Sequence, residues 1–209
     1  MTNPVYLDYN ASAPLCHEAR QAMLVAMEIA GNPSSVHASG RAARKIVDHA
    51  RRKIADLIGG DAERVIFTSG GTEANNLALN GLEDVTVFTS AVEHPSVIEA
   101  RSDAKRIPVD ANGVIDLAAL ETMLRAASDA GQKVLVSVML ANNETGVIQP
   151  VAKVGLLARE YGAKVHCDAV QALGRLPVDM GQLLVDMVSI SAHKIGGPKG
   201  IGALAIAPG

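Results

Sequence analysis

Apolar and polar positions follow two alternating periods along almost the whole chain. Between residues 16 and 30, Ala19, Met23, Ala26, Met27 and Ala30 recur at helical spacing and stop at Gly31-Asn32-Pro33. From Arg41, the positions Ile46, Ala50, Ile54, Leu57 and Ile58 do the same. Arg44, Asp48, Arg51 and Arg52 lie on the other side, and Gly59-Gly60 ends the run. Short apolar runs then predict strands at Val65–Thr68, Val85–Ser90, Arg106–Val109, Val134–Leu140, Lys164–Asp168, Met187–Ser191 and Gly202–Ala207. Helical stretches at roughly 72–82, 95–104, 117–130, 151–162 and 179–185 separate most of them. Several strands are β-branched and apolar on both faces, as a sheet covered by helices requires. The pattern predicts an α/β fold on a mostly parallel seven-stranded sheet flanked by helices. The last strand follows only the Gly-rich turn IGGPKG, too short for a parallel crossover, so it is expected to be antiparallel.

Composition narrows the classes. Of 209 residues, 48% are hydrophobic and 20% charged, which is ample for a buried core in one domain, or one domain and part of a second. The balance of 19 basic against 22 acidic residues contains no block of like charge, so no nucleic-acid partner is expected. With 2 Phe, 3 Tyr and no Trp, a stacking platform for single strands is also absent. Cys16 and Cys167 cannot form a disulfide framework and suit a reducing compartment. The opening MTNPVYLDYN lacks the basic and apolar regions of a signal peptide. The longest apolar stretch, Val134 to Ala141, is too short to cross a bilayer. A cytoplasmic protein without membrane contact is the expectation.

In parallel sheets, ligands sit outside the carboxyl ends of the strands, so the residues there carry the chemistry. Gly70-Gly71-Thr72-Glu73 follows a strand and opens a helix, where free N–H groups and the helix dipole favour an anion. The same residues also make an ordinary tight turn. Asp168 closes a strand, where a carboxylate can hold a protonated ring nitrogen or a metal, or cap the next helix. Gln171 follows in reach of the same crevice. Lys194 closes another strand in Ser191-Ala192-His193-Lys194, before Gly196-Gly197-Pro198-Lys199-Gly200. A lysine on a crevice floor is a candidate Schiff-base amine, because burial and nearby cations lower its pKa; alone it would be a surface charge. His94 can stack on a planar ligand or move protons, or simply bond within its loop. His17, His37 and His49 fall in helical stretches, and His166 and Cys167 lie within a strand, where packing suits them better than reaction. No metal-ligand spacing occurs, and no metal is expected. An anion cradle, a ring-nitrogen carboxylate, an imidazole and an amine in one crevice fit pyridoxal phosphate.

Those residues carry a resemblance. Tyr6-Leu7-Asp8-Tyr9-Asn10-Ala11-Ser12-Ala13-Pro14, Gly31-Asn32-Pro33-Ser34-Ser35-Val36-His37 and Phe67-Thr68-Ser69-Gly70-Gly71-Thr72-Glu73-Ala74-Asn75-Asn76 open it. Glu93-His94, Asn142-Asn143-Glu144-Thr145-Gly146, Asp168-Ala169-Val170-Gln171 and the segment Ser191 to Gly200 follow in order. Together they resemble the pyridoxal-phosphate-dependent cysteine desulfurases, on the NifS/IscS-like side of the class V aminotransferase-like group. The resemblance implies a fold type I large domain over residues 15–209, an N-terminal arm over 1–14, and a small domain absent from this chain. It implies that Lys194 links the cofactor, that Gly71, Thr72, Ser191 and His193 bind its phosphate, and that Asp168 pairs with the pyridinium. Gln171 would bond the phenolic oxygen, His94 would stack and help move protons, and Asn143 would face the substrate carboxylate. L-cysteine as substrate, a homodimer and an Fe–S scaffold or other sulfur acceptor are likewise implied. The family's acceptor cysteine and carboxylate-binding arginine lie beyond the aldehyde-binding lysine, and neither Cys16 nor Cys167 matches that cysteine. A selenocysteine lyase, another class V aminotransferase and a non-catalytic cofactor-binding remnant are the alternatives.

Overall fold

The computed structural model describes residues 5–208; the first four residues of the predicted arm and Gly209 lie outside the described residues. The strands are β1 (Val65–Thr68), β2 (Val85–Ser90), β3 (Lys105–Ile107), β4 (Lys133–Met139), β5 (Lys164–Asp168), β6 (Met187–Ser191) and β7 (Gly202–Ile206). The helices are α1 (His17–Met27), α2 (Ala38–Ile58), α3 (Gly71–Asn80), α4 (Pro95–Ile98), α5 (Leu117–Asp129), α6 (Val151–Glu160) and α7 (Met180–Leu183). They build one 7-stranded sheet in the order β1-β7-β6-β5-β4-β2-β3. β2 through β6 and β3 pair in parallel, while β7 runs antiparallel between β1 and β6.

Strand alternation sends side chains to two separate cores. Val87, Leu135, Met187 and Leu204 face α3, with Ala74, Ala78 and Leu79 packed on them. Phe88, Val136, Val138, Val165, Cys167 and Val188 face the other way, toward Ile58 of α2, Leu120 and Leu124 of α5 and Val154 of α6. The helices end where the chain supplies a stop. α2 begins with the Gly40 N–H donating to His37 Nδ1 at 3.3 Å and ends at Gly59, whose φ is 63°. His37 is therefore a cap rather than a helical residue.

Three predicted boundaries differ. The helix expected over 95–104 stops at Ile98. Arg101 folds back to Asp103 at 2.8 Å and to the Leu79 carbonyl at 3.1 Å, which turns the chain into β3. β3 spans Lys105–Ile107, earlier than the expected Arg106–Val109. The helix expected over 179–185 keeps only Met180–Leu183, because Leu184 adopts a left-handed conformation with φ 57°. α1 forms, yet none of its residues is fully buried: Ala19, Met23 and Ala26 of the predicted side are half-buried, and Leu24, Val25 and Met27 are 49%, 66% and 71% exposed. Among the described residues, no helix is long and apolar enough to cross a membrane.

Candidate active site

The carboxyl ends of β5 and β6 open beside the N-terminus of α3, and a cavity of about 260 Å³ lies between them. Gly71, Thr72, His94, Asn143, Asp168, Gln171, Ser191, His193 and Lys194 all line it, so the structure brings every predicted cofactor-binding residue together. Asn75, Ser96, Met139, Ala141 and Val170 complete the wall.

Asp168 ends β5 on the α3 side of the sheet. Its Oδ2 accepts from Asn75 Nδ2 at 2.7 Å and its Oδ1 from the Val170 N–H at 2.9 Å. Burial raises its pKa above the usual carboxylate range; those two donors, then the charges of His94 and Lys194, oppose the rise. A cation placed beside it would restore the ionised form. Asn75 also donates to Ser96 Oγ at 2.9 Å, and Ser96 Oγ lies 2.8 Å from His94 Nδ1. The Ser96 backbone N–H donates to the same Nδ1 at 3.1 Å. A backbone N–H can only donate, so Nδ1 is the lone-pair nitrogen and Nε2 carries the proton of the neutral ring. His94, Ser96, Asn75 and Asp168 thus form one hydrogen-bonded chain along the cavity.

The anion end is built from backbone. α3 starts at Gly71 with no side-chain cap, which leaves its first-turn N–H groups without intrahelical partners. A Cβ on Gly71 would stand 2.7 Å from Val170 Cγ2, so a larger residue here would have to displace the Val170 side chain. Beside it, Ser191 Oγ is buried without a hydrogen-bond partner. His193 Nδ1 lies 3.4 Å from Ser12 Oγ, and burial, then Lys194 and Lys199, hold its pKa below the ordinary imidazole value.

Lys194 follows β6 in a single 3-10 turn, Ala192–Lys194. Burial and then Arg175 lower its pKa, while Asp8, Asp168 and Glu144 pull it back up. Its Nζ donates to the Asn10 carbonyl, which also accepts from Gln171 Nε2 at 2.8 Å. The arm is laid along the lysine turn by backbone bonds from Ala13 to His193 and from Cys16 to Gly196, each 2.8 Å. Cys16, distant in sequence from Lys194, therefore sits against the glycine turn that follows it. It is exposed, and its Sγ accepts from the Ala19 N–H at 3.4 Å. Cys167 lies on the far face of the sheet, buried, with burial and then Asp168 and Glu93 raising its pKa.

Two neighbours brace the walls. Asn142 Oδ1 accepts from the Glu144 and Thr145 N–H groups, both at 2.9 Å, and so shapes the loop that carries Asn143, whose Nδ2 donates to Glu144 at 2.6 Å. Glu93 Oε1 accepts from Ser90 Oγ at 2.5 Å and from the Met139 N–H at 2.8 Å, tying the ends of β2 and β4. Its Oε2 is buried and unpartnered, and burial pushes its pKa up to about 8. No group of three or more His, Cys, Asp or Glu among the described residues is arranged to hold a metal.

The family model for aminotransferase class V matches residues 5–208. The chain belongs to this family. Class V aminotransferases depend on pyridoxal phosphate. A cysteine desulfurase of Dictyoglomus turgidum is 43% identical over 223 residues, covering 100% of this chain and 55% of that protein. One from Sinorhizobium fredii is 43% identical over 221 residues, covering 99% and 56%. A solved NifS-like protein from Rickettsia africae superposes with a TM-score of 0.88 at 38% identity, covering 97% of this chain and 57% of that one. The chain thus spans little more than half the length of the relatives it matches.

The residues present fit pyridoxal phosphate. The uncapped α3 N-terminus and the orphaned Ser191 hydroxyl are donors awaiting an anion. A buried carboxylate short of a cation and a lysine of lowered pKa share the same cavity. Sequence reasoning missed Asn75, Ser96, Asn10 and Arg175 as parts of this site. Asn10 and Asn75 had a visible signal, since both lie in segments that carry the resemblance; Asn75 is buried between Ala74 and Ala78 on α3.

Proposed function

We propose that this chain is the cofactor-holding large domain, with its N-terminal arm, of a cysteine desulfurase that converts L-cysteine to L-alanine and passes sulfur to an enzyme thiol. The observation that carries the reading is Lys194 and Asp168 in one cavity with an open helix N-terminus. When bound, pyridoxal phosphate supplies an electron sink for the substrate's α-carbon. Gly71, Thr72, Ser191 and His193 would hold its phosphate, with the α3 dipole opposing the negative charge. Asp168, kept ionised by the ring's N–H, would keep that nitrogen protonated, and Asn75 and Val170 hold the carboxylate in place for it. Gln171 would donate its amide N–H to the phenolic oxygen.

Lys194 would bind the aldehyde and, once released by the substrate amine, take and return the α-proton at Nζ. Its lowered pKa leaves more of the free amine at neutral pH. His94 would stack on the ring and present Nε2, the nitrogen its Ser96 contacts leave free, for proton transfer. Asn143 would meet the substrate carboxylate. A homodimer, an Fe–S scaffold or other sulfur-acceptor protein, and a cytoplasmic setting belong to the same reading. The persulfide-forming thiol is assigned to neither cysteine of this chain. Cys167 is sealed in the core, and Cys16 is an N-cap on the arm side.

The test is borohydride reduction of the chain after incubation with pyridoxal phosphate, followed by peptide mapping. Pyridoxyl is expected on Lys194 and absent in Lys194→Ala. Attachment at another lysine, or none in a protein that contains this whole sequence, would overturn the reading.

A further inference from the structure

We propose that Arg175 is a positioning residue for this site: it sets which end of the Gln171 amide faces the cavity and straps the arm across Lys194. Arg175 Nη1 donates to the Gln171 backbone carbonyl at 3.0 Å and to Gln171 Oε1. Its Nη2 donates to the Tyr9 carbonyl at 3.2 Å. A guanidinium only donates, so the end of the amide it touches must be the oxygen. The other end, Nε2, is thereby committed to point away as a donor. It reaches the Asn10 carbonyl, the same oxygen that accepts from Lys194 Nζ. One exposed arginine thus links the arm, the amide and the amine. Without it, Gln171 Oε1 loses its donor, and only the Asn10 carbonyl still selects the orientation of the amide. The Tyr9 carbonyl would then lose its donor, and the segment would keep only the Gln171 and Lys194 bonds to the Asn10 carbonyl. The positive charge of Arg175 also lowers the pKa of Lys194 and so favours its neutral form. Nothing in the sequence period marks this residue, because the contact that ties it to the arm is to a main-chain oxygen of a distant segment.

The first readout needs no cofactor. Chymotryptic cleavage after Tyr9 is followed by intact mass, with cleavage after Phe88, buried in β2, as the report of global opening. Arg175→Ala is expected to speed the Tyr9 cut on the order of tenfold, the worth of one good hydrogen bond, with the Phe88 cut unchanged. Arg175→Lys, which keeps the charge but loses the fork, should fall in between. No acceleration at Tyr9, or equal acceleration at both sites, overturns the proposal. The second readout rests on the cofactor reading. Arg175→Ala and Gln171→Ala should each weaken pyridoxal phosphate binding about tenfold, and the double variant little further, because the two act as one unit. An additive, roughly hundredfold loss in the double variant also overturns it. If the unsubstituted chain takes up no cofactor, the functional reading fails, and the Tyr9 cut still decides the role of Arg175.

Discussion

Replacing Glu93 by glutamine should invert its effect on stability between acid and alkaline pH. Burial pushes the Glu93 pKa up to about 8 in the folded protein, against an ordinary 4.5 in the open chain. Between those values the native state binds the extra proton, so stability falls as pH rises through the window and levels off above it. At about 1.4 kcal/mol per pKa unit, the full fall is about 5 kcal/mol, an upper figure if water or small shifts reach the unpartnered Oε2. A glutamine keeps Oε1 as acceptor for Ser90 and Met139 but buries an N–H₂ without a partner, which costs roughly 1–3 kcal/mol at every pH. Glu93→Gln should therefore be the less stable protein at pH 5 and the more stable at pH 9. Urea unfolding at fixed pH steps, with equal m-values, reads this directly. Asp168, Cys167 and Arg106 also surround Glu93, but they are common to both proteins and drop out of the difference to first order. Parallel stability curves for the two proteins would refute the claim that Glu93 is carried neutral.

Other outcomes follow from the same geometry. His166 is buried between Ser137 and Ser189, with its pKa lowered by burial to about 3 from 6.5, so stability should be lost as pH falls through that window. His166→Gln should flatten that acid limb in thermal melts; an unchanged limb would place the lability elsewhere. In a protein that contains the whole active enzyme, Asp168→Ala should reduce turnover at least about a hundredfold while changing cofactor affinity far less. Equal, mild losses in both quantities would mark Asp168 as a helix cap. These 209 residues alone should yield no alanine from cysteine with added reductant. Turnover that vanishes in Cys16→Ser would show that the exposed thiol on the arm serves as sulfur acceptor after all.

Most of the sheet was legible because its strands are short β-branched runs separated by helical periods, and because six residues of glycine-rich turn cannot carry a parallel crossover. The misread ends share a cause. Ile98 and Leu183 end helices through a folded-back arginine and a left-handed leucine, and neither breaks the hydrophobic period. The only half-covered α1 shows the converse, since an amphipathic pattern announces a buried side without saying what covers it. At the site, strand ends located Asp168, Lys194 and Gly71, because topology brings carboxyl ends together. Ser96 and Arg175 were invisible. Each is tied into the site by a partner far away in sequence, Asn75 for Ser96 and the Tyr9 carbonyl for Arg175, and such partners leave no local periodicity.

The place of β7 has a consequence for the order in which the molecule can assemble. β1 pairs with no strand but β7, and Val65 lies opposite Ala205. The first strand of the chain must therefore wait, without a ladder, until the last one arrives. Contacts this distant in sequence are slow to close. Meanwhile β2 through β6 can grow by successive parallel additions of neighbouring segments. The turn that opens α3 hangs from the end of β1, and a Cβ on Gly202 would stand 2.6 Å from the Gly70 carbonyl carbon. The anion cradle is thus set by the arrival of β7. A refolding chain should gain its sheet core before it gains any affinity for a phosphate, and one shortened before Gly202 should keep most of the parallel sheet while leaving that cradle unformed.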